Sequence, residues 1–223
     1  MLNTHEIHIW VADLSRQFNQ IKQRVKALTP DELERANRFR AAIHQNRFIA
    51  SRYLLRTVLG KYLDLPPQEI RLAYTKFNKP YLTDPNTSLR FNLAHSEDQA
   101  ILGITSHYNI GVDIEKIRIK YPQKIAERFF HKKEYDGLNQ LPEKDQASGF
   151  FRVWSRKEAI IKATGKGLSM PLSSFYVSLD KDSEIITIDN QSWSLTSLEI
   201  HPGYQAAVAS NQKIEKIKIS QFK

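Results

Sequence analysis

The order of helical and strand patterns is the feature of this sequence that most limits its fold. A strand pattern at about residues 5–12 comes first, and each half of the chain then has a helical block followed by short alternating strands. The first half has helical spacing from about 30 to 64 with one break, then strand patterns at about 70–75, 90–92, 100–105 and 109–114. The second half has helices at about 121–140 and 144–164, then strands at about 175–179, 184–188, 192–200, 204–210 and 214–219. This order predicts an α+β chain of two similar lobes, which we place at residues 1–110 and 111–223.

Residues that typically start or end helices support the expected bounds of the helical blocks. Thr29 and Pro30 are typical of a helix start, and Pro66 and Pro67 end the first helical block. Gly165 ends the second long helix.

Composition excludes several classes of protein. The 223 residues contain no cysteine, which rules out disulfide frameworks, zinc fingers, iron–sulfur clusters and thiol catalysis. Apolar runs never exceed four residues, so no segment is expected to span a bilayer. The chain begins with polar residues and no signal-peptide core. We therefore expect a cytoplasmic protein.

The net charge of +9 points to anionic partners. Lys and Arg outnumber Asp and Glu by 15 to 10 in residues 1–111 and by 18 to 14 in the remainder, so the excess is spread evenly and forms no basic arm. An acidic protein or a polyphosphate ligand would be attracted by such a field. A basic nucleic-acid-binding protein without catalysis is the alternative.

Asp113 and Glu115 form the first cluster that resists a purely structural interpretation. In a strand their side chains share one face, and Val112 and Ile114 share the other. Neighbouring carboxylates repel unless a cation or proton lies between them, and oxygen ligands suit Mg²⁺ or Mn²⁺. The alternative is a solvated strand end whose charge is neutralised by nearby basic residues.

Trp154, Glu158 and Lys162 form the second cluster, because their spacing of four residues places them along one stripe of a helix. The alternative is an ordinary surface ion pair. A third cluster, residues 91–96, predicts a polar loop in which His95 and backbone N–H groups could meet a phosphate. A loop histidine with a structural role is the alternative there. Arg35, Arg47 and Lys79 are further cations that could reach an anion.

Taken in order, these motifs resemble the surfactin-type 4′-phosphopantetheinyl transferases. The resemblance runs from Thr29 to about Phe175 and rests on the paired acids at 113 and 115, the Arg128–Phe130 segment with Glu134, and the Trp154–Lys162 stripe. It implies two pseudo-symmetric lobes, each a small antiparallel sheet packed with helices, with coenzyme A in a cleft between them.

The resemblance also implies roles for individual residues. Mg²⁺ would be held by Asp113, Glu115 and Glu158, and coenzyme A would be contacted by Arg35, Arg47, Lys79, Ala94, His95, Asp113 and Lys162. Ala94 stands where the family often has Ser, so a hydroxyl contact to phosphate would be replaced by a backbone N–H. Glu32 stands where some members have Lys, which would remove one cation from the ligand site.

The implied reaction moves 4′-phosphopantetheine from coenzyme A to a serine hydroxyl of an apo acyl or peptidyl carrier protein and leaves adenosine 3′,5′-bisphosphate. Glu158, directly or through a water, is the first choice of base, and Glu134 is the second. Lys162 would compensate charge in the transition state. We expect an acidic carrier from fatty acid, polyketide or nonribosomal peptide biosynthesis, no nucleic acid or membrane partner, and a monomer. A catalytically idle relative that only binds carriers is a further alternative.

Overall fold

Ten strands and six α-helices follow one another in residues 2–180 and 182–223, the part of the chain that the computed structural model describes. The strands are β1 (Glu6–Asp13), β2 (Leu72–Tyr74), β3 (Pro80–Leu82), β4 (Leu89–Ser96), β5 (Gln99–Ser106), β6 (Ile110–Lys116), β7 (Glu184–Ile188), β8 (Gln191–Leu198), β9 (Tyr204–Ser210) and β10 (Lys216–Gln221). The α-helices are α1 (Ile21–Arg24), α2 (Pro30–Asn37), α3 (Ala42–Leu63), α4 (Gln123–Phe129), α5 (Lys132–Gln140) and α6 (Glu143–Thr164). None of these helices combines the length and apolar composition needed to cross a bilayer.

The strands form two four-stranded sheets and one small hairpin. The first sheet has the order β10-β1-β5-β4, the second has the order β6-β9-β8-β7, and β2 pairs with β3. The α+β class is therefore confirmed. Neighbouring strands are antiparallel except β1 and β10, which run parallel with Glu6 opposite Lys216. This pair departs from the expected purely antiparallel sheets. It also places residues 216–221 in the first sheet, although the expected division assigned them to the second lobe.

The core consists of layers between and outside the two sheets. The inner layer joins Ile7 and Ile101 of the first sheet to Val112 and Val208 of the second. Helix α3 packs on the outer face of the first sheet, and α6 packs on the outer face of the second. Both helices have 22 residues, which gives the two lobes similar architecture. Since Val112 faces the inner layer, the alternate residues of β6 face α6.

Helix ends follow the local chemistry of the sequence. Thr29 begins α2, and its backbone N–H donates to Glu32 at 3.2 Å in a capping box. The expected helix at 121–140 is two helices, α4 and α5, because Phe130 has an extended backbone and His131 caps α5. The hairpin strand β3 was not predicted, since three residues are too few for a periodic pattern.

Two expectations about strands and loops are wrong. Residues 91–96 belong to the edge strand β4 and not to a loop. Residues 175–179 are not a strand, because side chains satisfy their backbone groups. Lys157 donates to the Phe175 carbonyl at 2.7 Å, and the Val177 N–H donates to the Glu134 carboxylate at 2.7 Å.

Candidate functional site

Helix α6 lies directly on strand β6 because Gly111 has no side chain at their contact. A Cβ at this position would lie 2.1 Å from the carbonyl oxygen of Ala159 and 2.3 Å from the amide nitrogen of Ala163. Both distances are far below van der Waals contact, so any larger residue would push the helix away. The close approach brings Glu158 and Lys162 of α6 to the acidic face of β6.

Asp113 is buried between β6 and α6 with only half of its carboxylate paired. Lys162 Nζ donates to Oδ1 at 2.5 Å, whereas Oδ2 is buried and accepts no hydrogen bond. Burial raises the pKa of Asp113 to about 7, and the charges of Glu115 and Glu158 act in the same direction against that of Lys162. An unpaired buried carboxylate oxygen is costly, so this atom is suited to receive a cation.

Glu115 and Glu158 lie close enough to Asp113 to act on its charge. Glu115 Oε2 accepts a hydrogen bond from Ser96 Oγ at 3.1 Å, and burial raises the pKa of Glu115. Glu158 lines a cavity of about 240 Å³ together with Lys162 and has no hydrogen-bond or ion-pair partner in the described part of the chain. The carboxylates predicted from two distant motifs thus come into one electrostatic neighbourhood.

These three carboxylates fit a hard divalent cation in chemistry, although they do not surround one point. Within residues 2–180 and 182–223, no three acidic or imidazole side chains are near enough to one another to hold a metal ion. The Lys162 ammonium takes the place of a cation at Asp113. Burial of Lys162 opposes its charge, but the surrounding carboxylates, Asp113 foremost, raise its pKa above the usual range. Asp113 Oδ2, which is buried and accepts no hydrogen bond, is the atom whose environment fits an added cation.

A group of positive side chains surrounds His95 and includes Lys162, the partner of Asp113. Arg47 Nε donates to Asp98 Oδ1 at 2.8 Å, and this hydrogen bond raises the pKa of Arg47. Surrounding protein atoms reduce the hydration of the accessible His95 ring and lower its pKa, and the charges of Lys162, Arg47 and Arg52 lower it further. The His95 ring and the three cations that act on it therefore form one neighbourhood suited to a polyanion. The three cations are Lys162, Arg47 and Arg52.

Lys79 has a different environment from the one expected for a phosphate contact. Its Nζ donates to the backbone carbonyls of Ile110 at 3.0 Å and Lys162 at 2.5 Å. Burial lowers the pKa of Lys79 to about 8, and the charge of Lys162 adds to this effect. Lys79 therefore fastens the β2–β3 hairpin to both β6 and α6 at the edge of the cavity.

Comparison with known proteins decides the family. Residues 15–107 match the family model described as 4′-phosphopantetheinyl transferase, N-terminal, and residues 109–209 match the 4′-phosphopantetheinyl transferase superfamily. The 4′-phosphopantetheinyl transferase HetI of Nostoc sp. is 36% identical over 211 residues, which are 93% of this chain and 89% of that protein. The chain belongs to the 4′-phosphopantetheinyl transferase superfamily.

Other relatives support the same family assignment. Sfp of Bacillus subtilis is 34% identical over 82% of each chain, and gsp of Aneurinibacillus migulanus is 31% identical over 79% of this chain and 76% of that protein. Holo-[acyl-carrier-protein] synthase of Thermotoga maritima, a solved structure, is similar over part of the fold, with a TM-score of 0.31 and 17% identity over 46% of this chain and 61% of that one. The resemblance to the surfactin-type enzymes and the enzyme class are confirmed. A protein without catalysis is thereby set aside.

The assignment of Glu134 as the second-choice base of the transferase is wrong. Its side chain has no exposed surface and lies 2.8 Å from Lys157 Nζ, which is equally buried. It also accepts hydrogen bonds from the N–H groups of His131 and Val177. A carboxylate with these partners cannot reach a substrate hydroxyl, so Glu134 stabilises the packing of α5 against α6.

Two departures from the family pattern have structural explanations. The Ala94 side chain is buried in the layer between the sheets, and the contact of its backbone N–H with coenzyme A remains a prediction. Glu32 is also buried and accepts a hydrogen bond from Arg56 at 2.6 Å. Glu32 therefore belongs to a buried ion pair, and its effect on the charge of the ligand site remains a prediction.

Arg35 is exposed on α2, and its guanidinium lies 5.4 Å from the centre of the Phe48 ring. Its contact with coenzyme A remains a prediction. Sequence reasoning missed Gly111, Asn92 and Ser96 as residues that position the site. The signal for Asn92 and Ser96 was their spacing of four residues, which places both on one face once the segment is read as a strand.

Proposed function

We propose that this transferase moves 4′-phosphopantetheine from coenzyme A to a serine hydroxyl of an apo acyl or peptidyl carrier protein and releases adenosine 3′,5′-bisphosphate. Enzymes of this superfamily act on coenzyme A and carrier proteins, which supports the substrate class. The observation that carries the site assignment is the buried, unpaired Oδ2 of Asp113 in the electrostatic neighbourhood of Glu115 and Glu158.

In this proposal Asp113, Glu115 and Glu158 would converge on Mg²⁺ or Mn²⁺ when the ion binds, since in residues 2–180 and 182–223 no three such side chains are grouped closely enough to hold one. The ion would supply positive charge that neutralises the pyrophosphate oxygens. Arg47 and His95 bind the 3′-phosphate region of coenzyme A, with Arg35 at its margin. Lys79 contributes to binding of coenzyme A indirectly, because it holds the β2–β3 hairpin against β6 and α6. Lys162, which stays cationic among the acids, binds the pyrophosphate.

Transfer requires an aligned nucleophile and a base. The serine oxygen forms a bond to the β-phosphorus, and the bond from that phosphorus to the bridging oxygen of the pyrophosphate breaks. The serine proton passes to Glu158, whose side chain lines the cavity and has no hydrogen-bond or ion-pair partner in the described part of the chain. The bridging oxygen leaves on adenosine 3′,5′-bisphosphate, and Lys162 compensates its developing negative charge. Positioning and charge compensation supply most of the rate in such reactions.

The carrier is expected to be acidic, because the chain carries a net charge of +9. The two lobes of one chain meet at β4 and β6, so the site assembles without a second copy. We therefore propose a monomer without a nucleic-acid partner. Sedimentation should give a single species near 25.9 kDa, and a dimer would contradict this part of the proposal.

A mass-shift assay tests the reaction. The protein is incubated with coenzyme A, Mg²⁺ and a panel of purified apo acyl and peptidyl carriers, and each carrier is weighed by mass spectrometry. A gain equal to one phosphopantetheine on the carrier serine is expected, and Glu158→Gln should abolish it. No gain on any carrier in the panel, with folded protein, would overturn the proposal.

A further inference from the structure

The two sheets of the transferase meet at strands that share no backbone ladder. Strand β4 is the edge of the first sheet and β6 is the edge of the second. Two side chains of β4 replace the missing ladder. Asn92 Oδ1 accepts a hydrogen bond from the Val112 N–H at 2.8 Å, and Ser96 Oγ accepts one from the Lys116 N–H at 3.2 Å.

These two hydrogen bonds enclose the acidic pair. Their acceptors lie four residues apart on β4 and their donors lie four residues apart on β6, so the two edges run side by side in the same direction. Asp113 and Glu115 lie between the donors at 112 and 116. Any shift of one edge along the other would therefore move both carboxylates relative to the first sheet.

Ser96 makes a second contact that Asn92 does not make. The same hydroxyl that accepts from the Lys116 N–H donates to Glu115 Oε2 at 3.1 Å. A serine hydroxyl has one proton to donate and two lone pairs to accept with, so both bonds form at once. Ser96 is itself buried, with 8% of its surface exposed, so water does not readily replace it.

We propose that Ser96 is a positioning residue of the transferase: its hydroxyl fixes the Glu115 carboxylate and the β6 backbone together, so that Glu115 is presented to a divalent cation. This inference rests on the proposed function. Hydrogen bonds to a ligating carboxylate orient it, and their removal typically weakens metal affinity by about 10- to 100-fold. The contacts of Ser96 Oγ are with Glu115 and the β6 backbone, so its effect on the cation acts through Glu115.

The test compares Ser96→Ala with the wild-type protein in Mn²⁺ titrations followed by electron paramagnetic resonance, with coenzyme A present and no carrier. The dissociation constant for Mn²⁺ should rise about tenfold or more in Ser96→Ala. Ser96→Thr, which keeps the hydroxyl, should remain near the wild-type value. Ser106→Ala is the matched control, because it also removes a serine hydroxyl. The Ser106 hydroxyl lies 2.9 Å from Ser88 Oγ, and its hydrogen bond does not involve the acids.

Each other outcome overturns the inference. Equal Mn²⁺ affinity in Ser96→Ala and the wild type means that the hydroxyl does not position Glu115. Equal loss in Ser96→Ala and Ser96→Thr means that packing, and not the hydroxyl, matters at this position. A wild-type protein that transfers the group but binds no Mn²⁺ overturns this inference alone, whereas one that does neither overturns the proposed function with it.

Discussion

Two buried carboxylates of this transferase have opposite surroundings. Glu134 is paired with Lys157 and accepts two backbone hydrogen bonds, so its charge is satisfied by the protein. Asp113 has one hydrogen-bond partner, Lys162, and its second oxygen is buried and accepts no hydrogen bond in the described chain. A satisfied buried charge stabilises a fold, whereas an unsatisfied one is typical of a functional site.

Exchanging each acid for its amide should separate these roles. Asp113→Asn should lose carrier modification in the mass-shift assay while unfolding in urea much as the wild type does, because repulsion among the acids is relieved. Glu134→Gln leaves the Lys157 ammonium buried without its counter-charge, so its free energy of unfolding should fall by about 3–5 kcal/mol. Similar urea midpoints for the two variants would contradict this division.

His8 should make the stability of the protein depend on pH. Burial lowers the pKa of the His8 ring below its ordinary value of about 6.5, and Lys218 adds to this effect while Glu6 opposes it. The Tyr62 hydroxyl contacts the same ring. The unfolded chain therefore takes up the proton first as the pH falls, and the free energy of unfolding should decrease below about pH 6.5.

Urea unfolding between about pH 5 and pH 8 measures this dependence around the ordinary histidine pKa. His8→Gln should show a shallower decline of stability on the acidic side than the wild type does. If the two proteins lose stability in parallel, another group is responsible.

At the scale of elements, the contact of α6 with β6 depends on Gly111. Gly111→Ala forces the helix backbone away from β6, which should cost about 1–3 kcal/mol of stability and separate Lys162 from Asp113. Transfer activity should fall even under conditions in which the Gly111→Ala protein is fully folded. Gly137→Ala is the control, because its added methyl meets only the flexible end of Leu179 at 3.2 Å, and alanine favours the helix α5. Full activity in a folded Gly111→Ala protein would show that this close approach is unnecessary.

Elements with strong periodicity could be predicted from the sequence, and those held by distant partners could not. Alternation located β1 and β9, and the capping residue Thr29 located the start of α2. Residues 175–179 alternate like a strand, but buried side chains of α5 and α6 bind their backbone. Asp113 and Glu158 could be predicted as neighbours from two short motifs, and the structure brings their charges together. The hydrogen bonds of Lys79 and Ser96 could not be predicted, since their partners lie 83 and 20 residues away in the sequence.

At the scale of the whole molecule, the charge should govern encounter with the carrier. The excess of positive charge is spread over the chain, so its attraction for an acidic carrier acts over distances that salt can screen. Raising the ionic strength from about 0.1 M to about 1 M shortens the screening length from about 10 Å to about 3 Å. The kcat/KM for the carrier should fall at least about tenfold over this range, while kcat at saturating carrier changes little. A kcat/KM that is insensitive to salt would mean that docking relies on apolar contacts.

The parallel pairing of β1 with β10 has a consequence for synthesis in the cell. Strand β1 leaves the ribosome long before its partner on this side, which emerges only after residues 216–221 have been translated. Until then the nascent protein carries an open strand edge that can pair with other chains. Translation speed and chaperones should therefore influence the yield of native enzyme more than they would for a protein whose first sheet closes early.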